Sequence, residues 1–317
     1  MSPRESGSDA MISLALVTYN QSGLLRRFLD NYQGFGADAV ELTVVDDGSD
    51  DETPEILAAL SKRPGMHIHR LAHGSIAQAR NHALRNSPTD WLAFSDTDCL
   101  LDRRYFETLL TLPSRFVGAA AVEGAVFPPP GPKPPFTHSL ANPRGGTFVT
   151  ANMVFHVPTV LRLGGFDEGF LNFREDSDLA LTLLERCGAI PFCPELVVIH
   201  PHLPRSLGKS LIKAFASQER IIRSEMRLFE KHPQSYARIR HYPDARSTLF
   251  GWCRRYSAQC LKDGFRYLFR TPDLTPAQRL QGVGPACAAL AVALWEQLCV
   301  GTLCLLQYGR ITRLRVK

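Results

Sequence analysis

No two cysteines in this 317-residue chain have the Cys-x-x-Cys spacing of a zinc site or a redox dithiol. The eight that are present stand singly, several of them in apolar context, as reduced and buried cysteines do. The first nine residues, Met-Ser-Pro-Arg-Glu-Ser-Gly-Ser-Asp, lack the apolar segment of a secretory signal and read as a loose tail. Together these absences favour a reducing, cytoplasmic setting. A Gly-x-Gly-x-x-Gly turn is missing after the first apolar segment, which argues against the usual dinucleotide-binding fold. The same place, Tyr19-Asn20-Gln21-Ser22-Gly23, has no Lys or Arg, which argues against a nucleotidyltransferase. Neither a helix-turn-helix nor a zinc-finger pattern accompanies the basic stretches, so nucleic acid is not an expected partner.

What is present is globular in composition, 44% apolar and 21% charged. The formal charge of +5 hides an asymmetry. Residues 1–204 hold 16 Lys and Arg against 24 Asp and Glu, a balance of −8, whereas residues 205–317 hold 20 against 7, a balance of +13. A basic third of that strength calls for an anionic partner: an anionic lipid surface, nucleic acid or an anionic substrate.

Short apolar runs alternate with segments of helical period through the first hundred residues. Ile12–Val17, Leu42–Val45, Met66–Leu71 and Trp91–Phe94 read as strands. Residues 22–33, a segment after Pro54, and Ser75–Arg85 read as helices, with Pro54 suited to a first turn and Ser75 to a cap. This alternation predicts an α/β domain, doubly wound around a mostly parallel sheet. Further on, Phe106–Leu112 and Asp176–Cys187 read as helices, and Val117–Val126, Thr150–Val157 and Ile190–Ile199 as extended segments, with Pro158 closing the second of these. Pro128–Pro135 is a stiff, irregular connection.

The strand at Trp91–Phe94 delivers Asp96 and Asp98 with one residue between them. Alternate side chains on an extended backbone share a face, so both carboxylates can reach one hard cation. A cation held by so few carboxylates completes its shell with water and substrate phosphate. The alternative is a polar turn after a strand.

The basic third is predicted to be largely helical. Residues 207–231 and 247–270 interleave apolar positions with Lys and Arg at helical period. Residues 286–308 are nearly all apolar, interrupted by Glu296, Gln297 and Gln307. Their length suffices to span a bilayer, but Glu296 near the centre costs roughly 2.5–3.5 kcal/mol there. Three readings stay open: a buried helix closing a helical subdomain, a membrane-associated hairpin or interfacial helix, and a true span. The two basic amphipathic stretches before it favour a nearby anionic surface.

Over roughly residues 11–203 the chain resembles the family 2 glycosyltransferases of the GT-A fold. The resemblance is carried by Val17-Thr18-Tyr19-Asn20, Val45-Asp46-Asp47-Gly48-Ser49-Asp50-Asp51, Ala79-Arg80-Asn81, Ser95-Asp96-Thr97-Asp98, Gly164-Gly165-Phe166-Asp167 and Arg174-Glu175-Asp176-Ser177-Asp178-Leu179. It implies transfer of a sugar from a nucleotide sugar, most often a UDP-sugar, with inversion and a divalent metal, Mn²⁺ or Mg²⁺. Residues 10–101 would then form the nucleotide-sugar-binding half, 102–205 the acceptor half of the same domain, and 206–317 the basic helical region, with membrane association as one reading of it.

By motif, Asp47 would meet the donor's base, with Asp46 supporting that loop, and Thr18 would also bind the donor. Arg80 and Asn81 would hold base and phosphates. Asp96 would touch the ribose, or the metal through water, Asp98 would ligate the metal, and His200, directly after the last strand, would be a further ligand. Asp176 would be the base that deprotonates the acceptor hydroxyl. Asp50 and Asp51 read instead as turn-forming and helix-capping groups. The implied acceptor is a glycan or lipid-linked saccharide of the cell envelope, reached from the cytoplasmic face of the membrane by a peripheral protein. A catalytically inactive scaffold or membrane adaptor of the same fold is the alternative.

Overall fold

Six strands of one direction, with a helical layer on each side, follow from the way apolar runs and helical segments alternate. The computed structural model describes residues 12–36, 40–131, 137–138, 140–170, 172–204, 220 and 223–236. The predicted segments at 247–270 and 286–308, and most of 207–222, lie outside the described residues. Among the described residues no helix is long and apolar enough to cross a membrane.

The elements in chain order are β1 (Ile12–Thr18), α1 (Ser22–Phe35), β2 (Leu42–Asp46), α2 (Thr53–Leu60), β3 (Met66–Arg70), α3 (Ile76–Arg85), β4 (Trp91–Ser95), α4 (Arg103–Arg115) and β5 (Ala121–Phe127). After these come β6 (Thr137–His138), β7 (Met153–His156), α5 (Val157–Arg162), α6 (Glu175–Cys187), β8 (Phe192–Ile199) and β9 (Leu203–Pro204). Seven strands form one sheet in the order β3-β2-β1-β4-β7-β5-β8. β7 alone runs against its two neighbours, β4 and β5.

Side chains alternate across this sheet and create two cores. Leu14, Leu16, Val44, Ala93, Val122 and Val154 face a layer made by α1, α2 and α4, with Phe28, Tyr32, Leu57, Tyr105 and Phe106. Ala15, Val45, Phe94, Ala121, Met153 and Phe155 face α3, α5 and α6, with Ala79, Ala83, Val160, Phe166, Leu179 and Leu183. Fully burying each large apolar side chain contributes about 1.5–3 kcal/mol, so both faces are strongly specified. α3 begins where expected: Ser75 accepts from the backbone of Gln78, and the Gln78 side chain accepts from the backbone of Ser75.

Two local details depart from expectation. Thr150–Asn152 forms one 3₁₀ turn, so the strand is only Met153–His156. Pro158 opens α5 rather than closing the strand, because a first helical turn tolerates the missing N–H.

The chain divides into two compact units, the second taking residues 130–138, 202–237 and 241–317. Within this second unit β6 and β9 pair antiparallel, and residues 223–231 are helical. Its Leu228 and Tyr236 are buried, and the Tyr236 hydroxyl donates to Glu225.

Candidate active site at the carboxyl edge of the sheet

Parallel strands deliver their carboxyl ends to one edge, and every short motif that follows a strand collects there. Thr18 stands in register with Asp46, and the Asp47 N–H donates to the Thr18 carbonyl at 2.9 Å. β4 delivers Asp96 and Asp98 on the other side of β1. His200 comes from the end of β8, two strands beyond β7. Its position is fixed by backbone: its N–H donates to Phe127 at 2.9 Å, while Leu100 and Ile199 exchange hydrogen bonds of 2.9 and 3.2 Å. The loop carrying the two aspartates is thereby stitched to the strand carrying the histidine.

The three groups converge. His200 Nε2 lies 3.6 Å from an Asp98 oxygen and 3.9 Å from an Asp96 oxygen. With the Cys99 sulfur, their ligand atoms all fall within 4.8 Å of one another. His200 Nδ1 is 3.1 Å from the Pro201 carbonyl. If that nitrogen carries the proton, the Nε2 lone pair faces the carboxylates, the tautomer a metal ligand requires. Lone pairs from two acids and an imidazole then converge on one region, with the Cys99 thiol, a weak donor, 4.0 Å from an Asp98 oxygen beside them. A divalent cation fits such a donor set, and hard oxygens with one imidazole suit Mn²⁺ or Mg²⁺.

Asp96 is pushed above the ordinary carboxylate range, first by the protein around it and then by Asp98 and Asp176, with Arg80 and His200 opposing. Solvent reaches 40% of that side chain and moderates the shift. Asp176 is therefore close enough to be felt at Asp96. It sits in the first turn of α6, where Arg174 turns the chain in with a φ of 73°. Its Oδ1 accepts the Ser177 N–H at 2.6 Å, leaving Oδ2 for other partners.

Behind Asp176 is a buried ion pair. Arg80 Nη1 donates to Glu175 at 2.6 Å, with both side chains under 10% exposed, and the guanidinium lies 5.6 Å from the Phe166 ring centroid. Burial pushes the Glu175 carboxyl up, Arg80 opposes, and Asp176 adds to the rise. Arg80, expected at the donor phosphates, thus directs one arm at the helix that carries Asp176. Asn81 is fully engaged elsewhere. It donates to Phe166 O (2.9 Å) and Glu168 (2.8 Å) and accepts from Phe166 N (2.8 Å), so it anchors the turn after Gly165.

On the base side, Asp47 accepts the Gly74 N–H at 3.1 Å and meets His73 Nδ1 at 3.1 Å. His73 stacks on Tyr19, ring centroids 4.0 Å apart. Each carboxylate oxygen keeps a further lone pair. Asp47 borders a cavity of about 320 Å³ that also reaches Leu71, Gln78, His82 and Arg85. Thr18 is buried, and its hydroxyl has no hydrogen-bond partner among the described residues. Asp46 accepts from Ser49 N at 2.9 Å and so supports the loop. Asp51 accepts from Ser22 N and Thr53 N, both at 2.9 Å, a turn and capping role as expected.

Sequence reasoning left three residues without a role: His73, Glu175 and Asn152. Asn152 closes a gap in the sheet. The β5–β8 register jumps from Gly124↔Cys193 to Ala125↔Val197, leaving residues 194–196 unpaired, where Pro194 has no N–H to donate. The Asn152 amide donates to Ala125 O (2.9 Å) and Leu196 O (2.8 Å) across that gap. Gly124 is required beneath it, since a Cβ there would lie 2.2 Å from the amide nitrogen. The sequence signal was a lone Asn amid apolar residues just ahead of a strand.

Comparison with known proteins follows the same outline. Residues 13–126 match the family model described as glycosyl transferase family 2. "Glycosyltransferase AglD" of Haloferax volcanii is 34% identical over 109 residues, 31% of this chain and 17% of that protein. "Putative glycosyltransferase EpsH" of Bacillus subtilis is 28% identical over 101 residues, 31% of this chain and 29% of that protein. The chain thus spans less than a third of these curated relatives' length. Among solved structures, a mannosyltransferase from Pyrobaculum calidifontis, in complex with GDP-Man and Mn²⁺, superposes with a TM-score of 0.53 at 18% identity, covering 90% of this chain and 87% of the other. S. aureus TarS 1-349 in complex with UDP gives 0.52 at 15% identity, covering 89% and 88%. These likenesses define the fold.

Proposed function

We propose, from a chain whose fold is that of the family 2, GT-A-like glycosyltransferases, that it is a metal-dependent, inverting transferase. It would move a sugar from a nucleotide sugar, with UDP as first choice, to a hydroxyl of a glycan or lipid-linked saccharide. The observation that carries the reading is the convergence of Asp96, Asp98 and His200 at the strand edge, with Asp176 near enough to perturb Asp96.

Asp96, Asp98 and His200 would hold Mn²⁺ or Mg²⁺, which when bound supplies positive charge to the departing diphosphate. The remaining work falls to the chain. Asp47 accepts an N–H of the base, as an ionised carboxylate can only accept, and Thr18 closes the same side. Asp176 takes the acceptor hydroxyl's proton as its oxygen bonds to the anomeric carbon and the bond from that carbon to the diphosphate oxygen breaks. A single displacement of this kind inverts the anomeric centre. Arg80 and Glu175 hold the turn that presents Asp176, and Arg80's positive field also favours the ionised form of Asp96.

On this reading residues 10–101 bind the donor and 102–205 the acceptor. The +13 balance of residues 205–317 supports docking on an anionic membrane surface, as a peripheral protein of the cytoplasmic face. The test is nucleotide release from UDP-, GDP-, dTDP- and CMP-sugars with Mn²⁺, Mg²⁺ or chelator. Release from one donor, lost in chelator and in Asp98→Ala, is expected. No measurable binding of Mn²⁺ or of any of these nucleotides would sink the catalytic reading and leave an inactive scaffold. Retention in the soluble fraction at low salt without detergent would remove the membrane part.

A further inference from the structure

Glu123 is the outstanding charge in the sheet. It sits mid-strand in β5, within Ala-Val-Glu-Gly-Ala-Val-Phe, and is 1% exposed. A carboxylate so placed is costly unless donors surround it. Four do: Asn142 Nδ2 at 2.8 Å, Gly146 N at 2.6 Å, Thr147 N at 3.0 Å and Phe148 N at 2.6 Å. Three consecutive backbone N–H groups therefore wrap one side chain, with the short lengths of charge-assisted hydrogen bonds.

The backbone bends to make this possible. Gly145 has a φ of +69°, and a Cβ there would lie 2.7 Å from the Phe192 ring and 2.9 Å from Glu123 itself. Gly146 follows at +86°, and Phe148, a bulky and buried residue, at +56°. A left-handed phenylalanine is strained, because its Cβ crowds the following carbonyl oxygen. Such strain persists only where the surroundings over-determine it, and here the over-determining group is the carboxylate.

What the strained turn supports is the wall that carries Asp176. The Phe148 ring belongs to the same buried cluster as Phe166 and as Leu179, Ala180 and Leu183 of α6. Phe166 lies against Arg80, and Arg80 is paired with Glu175 at the start of that helix. None of these residues belongs to the Asp47 or Asp98 loops.

We propose that Glu123 is a positioning residue for transfer: its buried carboxylate fixes the Gly145–Phe148 turn, and with it the apolar bed beneath α6 on which the placement of Asp176 depends. The inference rests on the transferase reading above. The donor and metal loops share part of this cluster through Val45 and Phe94, but their strands are held by backbone ladders on both sides, so turnover should suffer more than binding.

The experiment compares wild type, Glu123→Gln and Asn142→Ala in the full chain. It measures UDP and Mn²⁺ affinity by calorimetry, hydrolysis of whichever donor in the panel the wild type turns over, and amide exchange. Glu123→Gln presents an NH₂ group to donors that need an acceptor. Exchange at Gly146–Phe148 should accelerate at least tenfold with β1 unchanged, kcat should fall at least tenfold, and both affinities should stay within twofold. Asn142→Ala keeps the carboxylate and the three backbone donors, so it should show the same pattern more weakly even if Glu123→Gln fails to fold. An unchanged kcat in both variants would overturn the proposal, as would affinities falling in step with kcat. A wild type that hydrolyses no donor and binds neither UDP nor Mn²⁺ would fell the transferase reading first, and this one with it.

Discussion

Removing Glu175 while leaving Arg80 should be one of the most damaging single changes available in this domain. Both side chains are under 10% exposed and meet at 2.6 Å. Truncating one partner of a buried pair leaves an uncompensated charge, which costs about 3–5 kcal/mol. At about 2–4 °C per kcal/mol for a unit of this size, Glu175→Ala should lower the melting temperature by roughly 6–20 °C. Replacing both partners by apolar residues, as in Arg80→Met with Glu175→Leu, should recover most of that loss, because such replacements are often neutral or stabilising. The coupling between the two sites is then read from a double-mutant cycle in urea. The double variant should nonetheless turn over poorly, since the turn presenting Asp176 loses its tie to α3. A cost below about 1 kcal/mol for Glu175→Ala would mean that the pair behaves as a solvated one, and the reasoning would fail.

Two further predictions concern particular groups. Burial tends to raise the Asp51 carboxyl, but hydrogen bonds from Thr53 and Ser22 outweigh it and hold the group at about 2. A depressed folded-state value contributes stability above the unfolded value near 4 and loses it as pH falls toward 2. Wild type should therefore exceed Asp51→Asn in urea stability above about pH 5 and converge with it near pH 2; a gap that does not vary with pH would refute this. Gly124→Ala should drive a Cβ into the Asn152 amide and cost about 1–3 kcal/mol. It should also weaken Mn²⁺ binding by calorimetry, because Asn152 braces the strand that ends at His200; unchanged stability and unchanged affinity would count against that bracing.

The first four strands and their helices were legible because each is short, apolar and punctuated by Pro, Asn or an acidic loop, so local pattern and tertiary fold agree. The candidate metal cluster was legible in part. Asp96 and Asp98 are neighbours in sequence, whereas the proximity of His200 depends on the Leu100–Ile199 bridge, a pairing that no local periodicity encodes. Arg80 and Asn81 show the limit. Their place on α3 could be read from helical period, but the direction of each side chain is set by residues some 85–95 positions away, Phe166 and Glu175. Glu123 was not singled out: it lies in a segment read only as extended, and its partners are 19–25 residues away. The antiparallel entry of β7 was equally hidden, since pairing direction leaves no mark on a four-residue apolar run.

The stitch between Leu100 and Ile199 also has a temporal meaning. Asp98 and His200 are separated by about a hundred residues of synthesis, which at 5–20 residues per second is roughly 5–20 s on the ribosome. For most of that interval the nascent chain holds Thr18, Asp47, Asp96 and Asp98 without Asp176, and to its end without His200. Whatever the emerging domain meets in that time, it meets with the candidate site unfinished. The strand that completes the candidate donor set is also the one that closes the far edge of the sheet, so the candidate site and the sheet are completed together.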